Sequence, residues 1–145
     1  MSERLGRKSV GKVEAQFGRY VFLKRIAVGG MAEIFLAQRL SFGGFARFVV
    51  IMRLLPEHRG KPIYEQLFLD EARIAASLEH PNIISLYDLG KVDDAYFMVM
   101  EYVHGVSGAE FMTRYVHTHR TVDAGVALGI TARVALALDH GHNIA

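Results

Sequence analysis

The chain has 145 residues, of which 51% are hydrophobic, a length and composition that suit one domain with a packed core and exclude an intrinsically disordered protein. It contains no cysteine, which excludes disulfides and thiol catalysis, and it has no run of about 18 apolar residues, so we expect no membrane-spanning helix. The formal net charge is only +2, and the lysines and arginines do not gather into the basic stripe that is typical of a nucleic-acid binder.

The first 17 residues are polar and rich in glycine, serine and basic side chains, which predicts a flexible basic arm over 1–17. No apolar run follows the basic residues, so the arm is not a secretory signal. Ser9 follows Arg7 and Lys8 and is a candidate phosphate acceptor, but a solvated tail is the interpretation that we favour.

Three strands are predicted after the arm. Alternating apolar residues indicate a first strand over 20–28, a second over 34–39 and a third over 45–55, which Pro56 ends. Between the first two lies the pair Gly29-Gly30. Glycine permits both a phosphate-binding loop and a tight hairpin turn, so the sequence leaves these two interpretations open.

The strongest helical pattern predicts a helix over 61–79. Its apolar residues fall on one stripe at helical spacing, and they are Tyr64, Leu67, Phe68, Ile74, Ala75 and Leu78. Glu71 falls on the same stripe. Unpaired burial of a charge is costly, so Glu71 either has a basic partner or lies at the edge of the stripe and reaches water.

Two more strands and two more helices complete the predicted elements. Pro81 ends the long helix, and strands follow over 83–89 and 96–103, joined by a polar turn over 91–95. Helices are predicted over 110–119 and 122–142. Each of these helices has two histidines near its end, for which surface polarity or helix capping is a better explanation than a metal site.

The last predicted helix is apolar on nearly every side, since Asp123 and Arg133 are its only charged residues between 122 and 138. Such a helix belongs in an interior, and monomers rarely expose more than a few hundred Å² of contiguous apolar surface. We therefore expect it to contact a second copy of the chain or another protein. The expected centre of this interface is the set Val126, Ile130, Val134 and Leu138.

Three runs of residues carry a family resemblance: Phe-Leu-Asp-Glu-Ala-Arg at 68–73, Leu-Glu-His-Pro-Asn-Ile-Ile at 78–84 and Met-Val-Met-Glu-Tyr-Val at 98–103. Together with the order of the elements, they resemble the N-terminal lobe of a protein kinase of the bacterial serine/threonine type. The resemblance implies an α+β fold. A five-stranded antiparallel sheet with one long helix would occupy 18–104, and two helices that begin a C-terminal lobe would occupy 105–145.

The resemblance also implies where a nucleotide site would lie. The family motif Gly-x-Gly-x-x-Gly-x-Val falls on 27–34, the strand motif Val-Ala-Ile-Lys on 49–52 and the hinge on 98–103. By this resemblance, Met100 is the gatekeeper, and the Glu101 carbonyl and the Val103 backbone face an adenine. The implied site positions are Ala27, Gly29, Ala32, Ile34, Val50, Met52, Glu71, Met100, Glu101 and Val103.

Several of these positions depart from the family pattern. Only the central glycine of the loop is kept, as Gly29. Met52 stands where the family has the lysine that grips the phosphates and pairs with the helix glutamate, here Glu71. Val50 replaces the alanine that roofs the adenine, and its two extra methyl groups narrow the slot.

The family's catalytic loop and its metal-binding Asp-Phe-Gly lie downstream of the region matched, and neither occurs in these 145 residues. We therefore expect a cytoplasmic, non-catalytic kinase-like module that acts through protein contacts, with no cofactor, metal, nucleic acid or membrane. One alternative is an N-terminal piece of a serine/threonine kinase that binds ATP at full length. Another is a nucleic-acid-binding domain, which the pI near 9.0 suggests and the scattered basic residues oppose.

Overall fold

The computed structural model describes residues 16–118 and 121–144. This part of the chain contains the strands β1 (Gln16–Phe17), β2 (Tyr20–Val28), β3 (Ala32–Leu40), β4 (Ala46–Leu54), β5 (Leu86–Val92) and β6 (Ala95–Glu101). It also contains the helices α1 (Pro62–Ser77), α2 (Gly108–His117) and α3 (Ala124–Ile144). Single 3-10 turns follow β3 and β4, at Phe42–Gly44 and Pro56–His58.

All of these strands form one antiparallel sheet in the order β1-β2-β3-β4-β6-β5. The five predicted strands are present, and β1 is an addition. The arm predicted over 1–17 is too long at its end, because Phe17 pairs with Tyr20 and is only 9% exposed. The rest of the predicted arm, including Ser9, lies outside the described residues.

The sheet curls so that its two ends meet around an aromatic core. Phe17 packs edge-to-face on Phe97, with ring centroids 4.8 Å apart. The Tyr20 hydroxyl on β2 donates to Asp88 Oδ2 on β5, at 2.9 Å, although these strands lie near opposite ends of the strand order. Alternate residues along the strands point to one side and form this core. Its members are Phe17, Tyr20, Phe22, Phe35, Ala37, Val49, Ile51, Phe97 and Val99.

Helix α1 packs on the other side of the sheet. The buried residues of this second cluster are Ala32, Leu54, Phe68, Ala72 and Met98. The buried face of α1 is narrower than predicted, because Leu67 and Ile74 are 52% and 63% exposed. This helix has apolar residues on more than one side, and periodicity does not tell which side meets the sheet.

The strand between α1 and β6 lies three residues later than its prediction at both ends. A strand was expected over 83–89, but β5 begins only at Leu86. The preceding residues form a turn, in which the Asn82 side-chain amide donates to the Arg133 carbonyl of α3 at 3.0 Å. The polar turn predicted over 91–95 is shorter than expected: only Asp93 and Asp94 separate β5 from β6, both at positive φ, as a two-residue hairpin turn requires.

Helices α2 and α3 lie within two residues of their predicted bounds. The Ser107 hydroxyl accepts from the Glu110 N–H at 3.2 Å and caps α2. The Asp123 carboxylate accepts from the Gly125 N–H at 2.8 Å and caps α3. No residue of α3 is buried. His119, one of the paired histidines, lies outside the described residues.

In the described part of the chain, no helix combines the length and the apolarity needed to cross a bilayer.

Candidate functional site

An apolar cavity of about 330 Å³ lies between the sheet, the second half of α1 and the turn before β5. Glu71 and Ala75 are four residues apart on α1 and therefore face the cavity together. The cavity is lined by Ile34, Val50, Met52, Glu71, Ala75, Leu78, Ile83, Ile84, Leu86, Met98 and Met100. The predicted positions Ile34, Val50, Met52, Glu71 and Met100 are thus brought together.

Met52 belongs to the sheet side of this cavity. It pairs with Ile34 on β3 and with Met98 on β6, and it packs partly buried against the cluster that contains Phe68. Its thioether makes dispersion contacts but has no charge, so it cannot neutralise a phosphate. The cavity is apolar at the position where the kinase pattern has an ammonium group.

Glu71 is exposed and lies at the edge of the buried side of α1, beside Ala72. Among the described residues, none gives its carboxylate a hydrogen bond or an ion pair. Of the two alternatives left by the sequence, the second is confirmed: Glu71 reaches water. Met52 offers the Glu71 carboxylate no partner, so water solvates this group.

Arg53 points to the opposite side of the sheet from Met52, because side chains alternate along a strand. Its guanidinium donates twice to Glu33 Oε1, at 3.1 and 2.7 Å, and stands 5.0 Å from the centre of the Phe35 ring. Arg25 Nη1 lies 3.5 Å from Glu33 Oε2. Glu33 is 5% exposed, so its charge is buried and paired. Sequence reasoning missed this group, although alternation along β3 places Glu33 on the same side as Phe35.

The glycine-rich segment forms a tight hairpin, which is one of the two interpretations that the sequence left open. The Gly29 N–H donates to the Ala32 carbonyl at 2.8 Å. His58 Nε2–H donates to the Gly30 carbonyl at 2.9 Å, and the His58 ring stacks on Tyr64 of α1 at 3.7 Å. The hairpin is therefore fastened to α1, and the Gly29 N–H is already paired.

The other five predicted positions do not line the cavity, and they are Ala27, Gly29, Ala32, Glu101 and Val103. Ala32 is buried in the cluster against α1. At the end of β6, the Glu101 N–H donates to the Ser85 carbonyl at 2.9 Å, and the Glu101 carboxylate accepts from the Ser85 N–H at 3.3 Å. Val103 follows β6 and is 59% exposed.

A second groove, of about 540 Å³, runs between α3 and the turn after α1. Its lining includes three of the four predicted interface residues, namely Ile130, Val134 and Leu138. These three side chains are 51%, 52% and 57% exposed, and Val126, outside the groove, is 43% exposed. The predicted interface residues therefore form an exposed apolar surface, which we call the α3 face.

Asp88 joins the two ends of the curled sheet by accepting from the Tyr20 hydroxyl at 2.9 Å and from Arg19 Nη2 at 2.8 Å. Burial alone would raise the pKa of Asp88, but the hydrogen bonds from Tyr20 and Arg19 outweigh it and hold this pKa below its ordinary value. Burial, and then the bond to Asp88, raise the pKa of Tyr20. At neutral pH the carboxylate is therefore ionised and the phenol is neutral, which is the combination that this contact needs.

A curled antiparallel sheet, one helix packed on it and a cavity between them define the N-terminal lobe of a protein kinase. The family model described as the protein kinase domain matches residues 20–145. The chain therefore belongs to the protein kinase family, and the predicted fold is confirmed.

Bacterial kinases are among its relatives. The chain is 39% identical over 126 residues to the tyrosine-protein kinase MasK of Myxococcus xanthus and 38% identical over 125 residues to the serine/threonine-protein kinase PrkC of Bacillus subtilis. These alignments cover 87% and 86% of this chain but 20% and 18% of those proteins. The crystal structure of the Mycobacterium tuberculosis PknI kinase domain matches with a TM-score of 0.67 at 27% identity, covering 90% of this chain and 50% of that chain.

Proposed function

We propose that this chain is a kinase-like module whose nucleotide site neither binds ATP nor supports phosphoryl transfer, and which acts through protein contacts. The observation that carries the proposal is Met52, an uncharged side chain on the sheet side of the cavity where the kinase pattern has its phosphate-gripping lysine. Kinases need the ion pair between this lysine and the helix glutamate. Met52 cannot form such a pair with Glu71.

Two further features of the cavity support the proposal. Val50 lies beside Met100, its partner in the β4–β6 ladder, so the sheet side of the adenine slot carries both a branched and a long apolar chain. In a close-packed interior such groups leave little slack for a flat base. The Gly29 N–H, which a phosphate-binding loop would offer to a phosphate, is bonded to Ala32.

Thermal unfolding with and without ATP and Mg²⁺ tests the proposal. A ligand at about 100 times its Kd stabilises a protein by about 2.7 kcal/mol, so real binding would raise the Tm visibly. We expect no rise for the wild-type chain at millimolar ATP. Met52→Lys should gain a rise, because it places a cation between the phosphates and Glu71. Met112→Lys, at an exposed methionine of α2, is the matched control and should gain none.

A specific ATP-dependent rise in the wild-type Tm would contradict the proposal. It would favour the second candidate, in which the chain is the ATP-binding N-terminal part of a longer serine/threonine kinase. The identity to MasK and PrkC, and the coverage of half of the PknI kinase domain, are the observations that favour this candidate.

The protein contacts are proposed to involve the α3 face. Exposed apolar surface of this kind marks interaction sites in soluble proteins. A second copy of the chain is the simplest occupant, since a symmetric pair needs only one self-complementary surface. A cytoplasmic location, which the absence of cysteine favours, is part of the same proposal, and nucleic acid and membranes are not among the proposed partners.

A further inference from the structure

We propose that the cavity beside Met52 binds a small hydrophobic cation, an aromatic primary ammonium compound, with the ring on the methionine side chains and the charge beside Glu71. This inference rests on the proposed function, because it assigns a new ligand to a site that ATP is proposed not to occupy. It concerns only the residues that line this cavity.

The size and the lining of the cavity determine the apolar part of the ligand. About 330 Å³ lies at the small end of the range for ligand sites, so it suits one compact molecule and not a nucleotide with its phosphates. Apart from Glu71, every lining residue is aliphatic or a methionine. Transfer of an apolar group from water to such a lining is favourable in free energy, whereas a neutral polar group would find no hydrogen-bond partner there.

The methionines favour an aromatic ring over an aliphatic chain. Met98 is paired with Met52 across the β4–β6 ladder, and Met100 is paired with Val50, the next inward residue along β4. All of these side chains line the cavity. Thioether sulfurs make favourable contacts with aromatic rings, and unbranched methionines adapt to a ring's shape.

Glu71 determines the charged part of the ligand. Its carboxylate borders the apolar lining, is exposed to water and has no ion-pair partner among the residues that the structure describes. A positive group beside it keeps its own hydration while the apolar part of the same molecule is buried. The cation therefore avoids the cost of charge burial, whereas an anion there would meet a like charge.

Three probes that differ only in one group test this assignment: 2-naphthylmethylammonium, the neutral 2-naphthylmethanol and the anionic 2-naphthoate. Binding to the whole chain is measured by calorimetry at low salt. Because Glu71 is exposed, we expect the ammonium to bind about two- to five-fold more tightly than the alcohol, and the carboxylate to bind more weakly than both. About 1 M salt should remove this order, because its screening length is only about 3 Å.

The variant Glu71→Gln removes the charge of this side chain and leaves the rest of the cavity lining unchanged. It should bind the alcohol as the wild type does and lose the preference for the ammonium. Glu79→Gln is the matched control, since Glu79 is exposed and outside the lining, and it should keep the preference. Equal affinity for ammonium and alcohol in the wild type, a preference that survives Glu71→Gln, or no binding of any probe would overturn the inference.

The same titrations with ATP and Mg²⁺ distinguish the two proposals. If the wild type binds neither the probes nor ATP, only the present inference fails. If it binds ATP, the proposed function fails, whatever the naphthyl compounds do.

Discussion

Two glutamates on opposite sides of the sheet have opposite environments. Glu33 is 5% exposed and accepts two hydrogen bonds from Arg53, whereas Glu71 is exposed and has no ion-pair partner in the described chain. The same carboxylate group therefore supports the fold in one place and is available for a ligand in the other. Burial and pairing, not the residue type, make this difference.

The substitution of each glutamate by glutamine measures that difference. Glu33→Gln should lower the free energy of unfolding by about 2 kcal/mol, because it leaves the Arg53 charge without its partner. Glu71→Gln should change it by less than about 0.5 kcal/mol. Urea unfolding at pH 7 provides both values. A loss of several kcal/mol for Glu71→Gln would reveal a strong partner that this structure does not contain.

Gly90 is a position where the addition of a single Cβ atom should lower stability. It pairs with Phe97 across β5 and β6, and a Cβ there would lie 2.6 Å from Phe97 Cζ. The Phe97 ring is held edge-to-face against Phe17, so it has little room to move. Gly90→Ala should therefore destabilise the chain by about 1–3 kcal/mol in urea unfolding.

Gly105→Ala is the control for this effect. Nothing lies within 4 Å of a Cβ at that glycine, and its backbone is not in the positive-φ region. It should be neutral or stabilise by up to about 1 kcal/mol. Equal losses for the two variants would mean that the Phe97 ring is not the cause.

At the scale of elements, the α3 face is the surface with the clearest consequence for assembly. Sedimentation velocity at micromolar concentration should show the wild-type chain as larger than a monomer. Val134→Glu should return it to the monomer, because a charge in the middle of an apolar contact is costly to bury.

Val116→Glu is the control variant, at a valine of α2 that is 67% exposed, compared with 52% for Val134. It should sediment as the wild type does. A monomeric wild type that Val134→Glu leaves unchanged would remove self-association from the proposed function.

Most elements could be predicted because their patterns are local. Each predicted strand and helix is present, and Met52 could be assigned to the cavity because the flanking residues fix its place along β4. The fastening of the glycine hairpin through His58 could not be predicted, because it depends on a contact between distant segments. The β5 boundary was missed for the same reason, since Asn82 is held in a turn by α3.

The inward face of α1 shows another limit of sequence reasoning. Leu67 and Ile74 have the same apolar character as Phe68, yet only Phe68 is buried. Periodicity identifies an apolar stripe on α1, but the packing of α1 on the sheet determines which of its apolar residues are buried. The way in which α1 packs on the sheet also places Glu71 at the edge of the buried side. The sequence alone therefore allowed a buried or an exposed Glu71, and the structure decides for exposure.

For the whole molecule, the contact of Asp88 with Tyr20 and Arg19 predicts how stability depends on pH. The pKa of Asp88 is lowered in the fold, so its contribution is complete above about pH 4 and is lost as the pH falls through the lowered value. Asp88→Asn should therefore be less stable than the wild type at pH 7. Because Asp88 is partly exposed, the loss should be no more than about 1 kcal/mol.

Urea unfolding of both proteins between pH 7 and pH 2.5 checks this prediction. The gap between them should narrow below about pH 4, because Asp88 of the unfolded chain is protonated there while Asp88 of the folded chain takes up its proton only at a lower pH. Asp93→Asn, in the neighbouring hairpin turn, is the control and should follow the wild type throughout. A gap that is constant with pH would show that the Asp88 charge does not hold the two ends of the sheet together.

Among the residues that the structure describes, β1 and β5 are the edge strands of the sheet, and both are poor templates for another strand. The described part of β1 has two residues, and β5 carries a bulge between Leu86 and Asp88 and a lysine at position 91. Short edge strands, bulges and lysines are the means by which proteins prevent edge-to-edge aggregation. Copies of this chain are thus expected to meet through helices and not to extend the sheet from one molecule into the next. A symmetric contact of this kind closes on itself after two copies, so the chain should stay out of fibres even at high concentration.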